Sequence, residues 1–175
     1  MEFPSKLEMH YYLSDGSHSM NALVKNQCEA EFIAVAVEAA KILDLQIELN
    51  TEALQEGGIR EIWTALGDNS AQIALIISTL ALIFSVVPRE DQELIDLQKE
   101  DLRLSLEERR ASIKKLKEEI KNNDVSEDSV KRAAKIASSS YKVATRKSNF
   151  YKKIVGYKKV VKIGYSGLDK QGAIA

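Results

Sequence analysis

Several residue types that commonly build functional sites are scarce in this chain of 175 residues. It has one cysteine, Cys28, and two histidines, His10 and His18. A single cysteine excludes an intramolecular disulfide, and its place in a helical pattern favours a buried thiol. The histidines flank a turn and have no cysteine or pair of carboxylates at ligand spacing. We therefore expect no metal site and no cofactor.

Motifs that bind phosphates or position a nucleophile are also missing. The sequence has no Walker A motif, no G-x-G-x-x-G and no G-x-S-x-G. Glu56-Gly57-Gly58 therefore indicates a turn rather than a phosphate-binding loop. The N-terminus lacks the basic and apolar stretches of a secretory signal, so we expect synthesis into the cytoplasm. We expect the protein not to be an enzyme.

Residues 1–68 predict an acidic segment built on a βαβ plan. Alternation over Lys6–Leu13 and over Leu45–Leu49 predicts two short strands. The uninterrupted apolar pattern from Asn21 to Leu43 predicts the helix between them. The two strands would be parallel if they pair directly. A short helix is expected over Ile59–Leu66.

Residues 69–88 contain no charged side chain. A helix of about 20 residues is long enough to cross the roughly 30 Å of hydrocarbon in a bilayer. Asp68 and Arg89 bracket the segment, and Trp63 lies where interfacial aromatic residues are common. The segment predicts a transmembrane helix, and the alternative is a helix buried in a protein core.

Small residues form one narrow stripe on this expected helix, with bulky aliphatic residues opposite. Such a stripe lets helices approach closely in lipid and therefore predicts self-association. The same hydroxyl groups could instead line a pore in a ring of subunits. The expected residues of this oligomer or pore face are Ser70, Ala74, Ser78, Ala81 and Ser85, together with Gln72 and Thr79.

Residues 89–175 predict charged helices followed by a short strand. One helix is expected over Arg89–Asn123, a second from Ser126 to Ile154, and a strand over Lys159–Tyr165. The expected fold is therefore an α-rich α+β membrane protein. It has an N-terminal βαβ-like unit, one transmembrane helix, and C-terminal charged helices with a short strand.

Charge is distributed unevenly, although the net charge of the whole chain is −1. Residues 1–68 are acidic, whereas residues 129–168 contain Lys and Arg but no Asp or Glu. Such a block predicts an anionic partner: acidic residues of the same chain or of a neighbouring subunit, a nucleic acid, or a lipid surface. The expected anion-binding residues are Arg132, Lys135, Lys142, Arg146, Lys147, Lys152 and Lys153.

A degenerate catalytic pattern lies within this basic block. In HEPN ribonucleases, an Arg that holds the phosphate is followed after four residues by a His that transfers protons. Here Arg146 is followed at that position by Tyr151. The ordinary pKa of tyrosine is about 10, far from a neutral working pH. The alternative is a solvated basic helix with a packing tyrosine.

The layout resembles the small membrane accessory proteins of type VI-B CRISPR–Cas systems over most of the chain. The shared features are the size, the internal apolar segment, the charged helices, and the pair Arg146 and Tyr151. The resemblance implies a divergent HEPN-like protein of the bacterial inner membrane that forms homo-oligomeric pores and strengthens antiviral defence. The partners would be further copies of the chain, membrane lipid, and RNA or an RNA-guided RNase. The alternative function is a membrane-anchored RNA-binding protein or HEPN-derived nuclease.

Overall fold

The computed structural model describes residues 4–16, 19–51, 59–67, 69–86, 88–103 and 106–168, which form an α+β fold. The strands are β1 (Lys6–Leu13), β2 (Ile47–Thr51), β3 (Ile59–Gly67) and β4 (Val160–Leu168). The helices are α1 (Ala22–Ile42), α2 (Ser70–Ser85), α3 (Asp91–Arg103), α4 (Leu106–Lys121), α5 (Glu127–Ser138) and α6 (Tyr141–Gly156).

These strands form one antiparallel sheet in the order β2-β3-β1-β4. β1 pairs with both β3 and β4, which places Leu7 opposite Trp63 and Met9 opposite Tyr165. Both β1 and β2 run antiparallel to β3, so they are parallel to each other but one strand apart. The predicted βαβ unit is therefore present in a split form, with β3 between its two strands.

The core lies between one face of the sheet and the helices. Strand alternation places Leu7, Met9 and Tyr11 on this inner face, where all three are buried. Phe32 of α1 stacks on Trp63 of β3, with 4.6 Å between the ring centroids. Burial of these large apolar side chains is the main force that holds the helices on the sheet.

Polar side chains cap the starts of several helices. Asn21, Asn69 and Ser140 each accept a hydrogen bond from the backbone N–H three residues later. Each cap satisfies a group that the helix itself leaves unpaired. Because α5 ends at Ser138 and Ser140 caps α6, the single helix predicted from Ser126 to Ile154 is two helices. The helix predicted over residues 89–123 is likewise divided into α3 and α4.

The prediction of a transmembrane helix at residues 69–88 is wrong, and so are the membrane-protein fold class and the pore. No helix in the described parts of the chain is both long and apolar enough to span a bilayer. The 16 residues of α2 cover about 24 Å, less than the roughly 30 Å of hydrocarbon. Its apolar side chains pack in the core instead, where Ile76, Leu80 and Phe84 are buried.

The short helix predicted over residues 59–66 is also wrong, because these residues form β3. Glu61, Trp63 and Ala65 alternate along its inner face, and the carboxylate at position 61 interrupts the apolar pattern that would have indicated a strand. The strands predicted over residues 6–13 and 159–165 are confirmed as β1 and β4. The two strands are neighbours, so the C-terminal strand completes the N-terminal sheet.

Candidate anion-binding site

Much of the predicted oligomer or pore face of α2 is packed within the chain. Ala74 and Thr79 are buried, and the Gln72 amide donates a 2.9 Å hydrogen bond to the carbonyl of Gln46. The Gln72 hydrogen bond explains how an otherwise apolar helix accommodates this amide, whereas the buried Thr79 hydroxyl has no hydrogen-bond partner among the described residues. The remaining members of the face are Ser78 and Ala81, which are partly buried, and Ser70 and Ser85, which are exposed at the helix ends.

Arg146 and Tyr151 have different neighbours and do not share a site. The Arg146 guanidinium lies 3.4 Å from the Glu31 carboxylate of α1, whereas the Tyr151 hydroxyl donates a hydrogen bond to the carbonyl of Phe84 in α2. Burial raises the pKa of Tyr151 above its usual value. Positions five apart on a helix differ by about 140° around its axis, which accounts for the separation.

Cys28 is confirmed as a buried thiol, and burial raises its pKa to about 11. His10 lies on β1, with its Nδ1 3.9 Å from a carboxylate oxygen of Glu8. Within the described residues, no group of His, Cys, Asp and Glu is placed to hold a metal ion. His18 and the predicted turn at 56–58 lie outside the described residues.

Some of the predicted anion-binding residues are neutralised by carboxylates of the same chain. Besides Arg146, Lys152 lies 3.0 Å from Asp91, and Arg132 lies 2.9 Å from Asp128. In each pair at least one of the two side chains is exposed to solvent, so each pair contributes little to stability. The predicted residues without a carboxylate partner in the described part of the chain are Lys135, Lys142, Lys147 and Lys153.

Lys135 and Lys147 line a pocket beside the C-terminal end of α2, which we call the basic pocket. Its volume is about 340 Å³. The apolar part of its wall consists of Leu82, Ile83, Val86 and Ala134. The polar part consists of Arg89, Lys131, Lys135, Ser138 and Lys147. No acidic side chain is among the described residues that line it, so the basic pocket is suited to an anion.

Lys147 is the buried cation of the basic pocket. It occupies a position between Val143 and Phe150 on the apolar stripe that α6 turns to the core. Its side chain is 8% exposed and has no hydrogen-bond or ion-pair partner among the described residues. Burial, and then repulsion by Arg89, lowers the pKa of Lys147 to about 8. A desolvated cation of this kind is destabilising unless an anion compensates its charge.

The α5 side of the pocket is built from residues on one helix face. Lys131, Lys135 and Ser138 follow each other at spacings of four and three residues, which align them. Lys131 also contacts Glu127 at 3.3 Å on the exposed surface. Arg89 and Lys131 were not among the predicted anion-binding residues. The signal that could have found the site is the lysine within the apolar stripe of α6, opposite this cationic face.

The described chain is thus an α+β protein with a split βαβ sheet and a pocket suited to an anion. Comparisons with models of protein families, with curated protein sequences and with solved structures give no match. The chemistry of the site therefore follows from its own residues. The cations and the Ser138 hydroxyl can donate hydrogen bonds to an anionic group, while the aliphatic wall contacts an apolar part of the same ligand.

Proposed function

We propose that this protein binds RNA through a phosphate group held in the basic pocket, and that it acts as a binding protein rather than an enzyme. The observation that carries the proposal is Lys147, a buried cation beside Arg89 with no carboxylate among the described lining residues. Charge-assisted hydrogen bonds from Lys and Arg to phosphate oxygens are among the strong ones in proteins. A bound phosphate supplies the missing counter-charge.

The mixed lining of the pocket favours a nucleic-acid ligand over a simple inorganic anion. Leu82 and Val86 offer an apolar surface to a sugar or base, and the lysines offer donors to a phosphate. Single-stranded RNA presents phosphates and unstacked bases together. The homo-oligomer and the antiviral setting stay predictions.

The same residues support binding rather than catalysis. Burial lowers the pKa of Lys147 toward neutrality, and the described residues that line the pocket include no histidine or carboxylate as a second acid–base group. Outside the pocket, Arg146 is paired with Glu31, and the Tyr151 hydroxyl is engaged with the core. We therefore assign Lys147 to ligand binding.

The test is the binding of a single-stranded RNA that carries a phosphate at each end and a fluorescent label at an internal base, followed by anisotropy at several salt concentrations. We expect saturable binding by the wild type. The double variant Lys135→Gln/Lys147→Gln should bind at least about tenfold more weakly, because it loses two charged donors. Its slope of log affinity against log salt should fall by about 0.7 for each phosphate that the variant no longer neutralises.

Lys142→Gln is the matched control, because Lys142 is an exposed cation of α6 that does not line the pocket. We expect it to weaken binding by less than about twofold, since exposed charges are screened. The proposal is wrong if the wild type gives no saturable binding, or if the control loses as much affinity as the pocket variants. Equally tight binding of inorganic phosphate would assign the pocket to a small anion instead.

A further inference from the structure

We infer that the basic pocket takes a terminal phosphomonoester of an RNA strand rather than an internal phosphodiester. This inference rests on the proposed RNA binding and specifies which part of the RNA the pocket recognises. Two observations carry it: the amount of positive charge that lines a single pocket, and the burial of Lys147.

The charge of the pocket exceeds what one internal phosphate can neutralise. Lys131 shares its charge with Glu127, but Arg89, Lys135 and Lys147 have no carboxylate partner among the described residues. An internal phosphodiester carries one negative charge. A terminal phosphate carries about −1.5 to −2 at neutral pH and offers three oxygens as acceptors. The terminal group therefore matches both the charge and the number of donors.

The recessed position of Lys147 favours the end of a strand for a steric reason. Lys147 is 8% exposed, whereas Lys131 and Lys135, which line the same pocket, are exposed. An internal phosphate has a sugar on both sides, so the strand must bend sharply for it to enter a recess. A terminal phosphate has a sugar on one side and enters directly. The terminal nucleoside then lies against Leu82 and Val86.

The class of reaction that supplies such a ligand is hydrolytic cleavage of RNA. Water adds across one P–O bond of a phosphodiester, and the products are one phosphomonoester end and one hydroxyl end. A protein with this pocket recognises cleaved RNA and discriminates against intact strands whose ends are hydroxyl groups. Both 5′ and 3′ phosphomonoesters present the same group, so the experiment has to distinguish them.

The test compares three RNAs of one sequence with the same internal label: one with a 5′ phosphate, one with a 3′ phosphate and one with hydroxyl groups at both ends. We expect one phosphorylated RNA to bind at least about tenfold more tightly than the hydroxyl-ended RNA, which identifies the end recognised. Lys147→Gln should reduce that ratio to about one. Lys142→Gln should keep the wild-type ratio.

Lys135→Gln provides a second pocket variant if Lys147→Gln fails to fold, because Lys135 is exposed and its replacement leaves the core intact. Lys135→Gln should also lower the ratio of the affinity for the phosphorylated RNA to the affinity for the hydroxyl-ended RNA. Equal binding of all three RNAs that still depends on Lys147 and Lys135 would overturn the inference and leave RNA binding in place. No binding of any of them overturns both. A preference that survives both pocket variants places recognition elsewhere and also overturns the inference.

Discussion

The Lys25 ammonium group lies 2.7 Å from the Glu61 carboxylate, between α1 and the inner face of the sheet. The Glu61 side chain is 3% exposed. Its burial raises the pKa of Glu61 to about 6, and the nearby Lys25 opposes this rise. The interior of the protein thus contains a carboxylate whose charged form depends on one ammonium group at the margin of the core.

We expect Glu61→Gln to change how stability depends on pH. The pKa of Glu61 in the folded protein, about 6, exceeds its ordinary 4.5, so folding favours the protonated form. The stability that this provides is fully present below about pH 4.5 and is lost as the pH rises through 6. The difference corresponds to about 2 kcal/mol. Lys25, Glu29 and Tyr11 are the other ionisable groups that act on Glu61.

Urea unfolding at about pH 5 and pH 7.5 checks this expectation. The wild type should lose free energy of unfolding relative to Glu61→Gln as the pH rises. Glu48→Gln, which removes an exposed carboxylate of β2, should retain the wild-type profile. Identical profiles for the wild type and the Glu61 variant contradict the assignment.

Lys147→Met should raise the stability of the protein and weaken its binding to RNA. Methionine has a similar length and no charge, so it removes the desolvated ammonium group from the core stripe of α6. We expect the free energy of unfolding at pH 7 to rise by about 1 to 3 kcal/mol and RNA binding to fall at least about tenfold. Urea unfolding and anisotropy measure the two effects. A variant that is less stable and still binds RNA would contradict the proposed role of Lys147.

RNA affinity should decrease as the pH rises from about 7 to 9. The pKa of Lys147 is lowered to about 8 in the free protein, so the cation that binds phosphate loses its proton in this range. A terminal phosphomonoester of RNA stays ionised throughout, because its second pKa is about 6. The loss can reach about tenfold. Anisotropy titrations at several pH values measure it, and Lys147→Arg should flatten the profile because arginine stays protonated.

Tyr151→Phe should lower the stability of the protein without changing its affinity for RNA. It removes the hydroxyl that donates to the Phe84 carbonyl and contacts the Tyr165 hydroxyl at 3.1 Å. We expect a loss of about 1 kcal/mol in the free energy of unfolding, the usual size for one such hydrogen bond. RNA affinity should stay within about twofold of the wild type. A large loss of affinity at unchanged stability would instead support the degenerate Arg146–Tyr151 site.

Ala74→Leu should destabilise the protein, although the same position was predicted to form a subunit contact. Ala74 is 4% exposed, so a larger side chain overfills the core around α2. Such overpacking typically costs about 1 to 3 kcal/mol. Ser70→Leu is the control on the same stripe, because Ser70 is exposed, and its effect should lie within about 0.5 kcal/mol. Thermal or urea unfolding of both variants distinguishes the two environments.

The regular parts of the fold could be predicted from the sequence, because their patterns are local. Alternation identified β1 and β4, and the apolar repeat identified α1 within a residue or two of its ends. β3 was mistaken for a helix because Glu61 places a carboxylate where the inner face of a strand is normally apolar. The buried ion pair with Lys25 is a tertiary contact, and no local pattern contains it.

The apolar segment at 69–88 was mistaken for a membrane span for a similar reason. Its composition describes an apolar environment but does not say whether lipid or the chain itself provides it. α2 is enclosed by the sheet and by α5. Two of its residues, Thr79 and Leu80, have no exposed surface. Likewise, the excess of Lys and Arg at 129–168 predicted an anion site, but only packing selects Lys147 from it and adds Arg89, which lies outside that block.

The position of β1 in the sheet has a consequence for the order of folding during synthesis. β1 emerges from the ribosome before the other described strands, yet one of its two neighbours, β4, is the last described strand. The chain between Gly67 and Val160 takes roughly 5 to 20 s to translate. During that interval β1 has an unpaired edge, and the helices that carry the basic pocket are still being made. The sheet and the ligand site are therefore both completed late in synthesis and at nearly the same time.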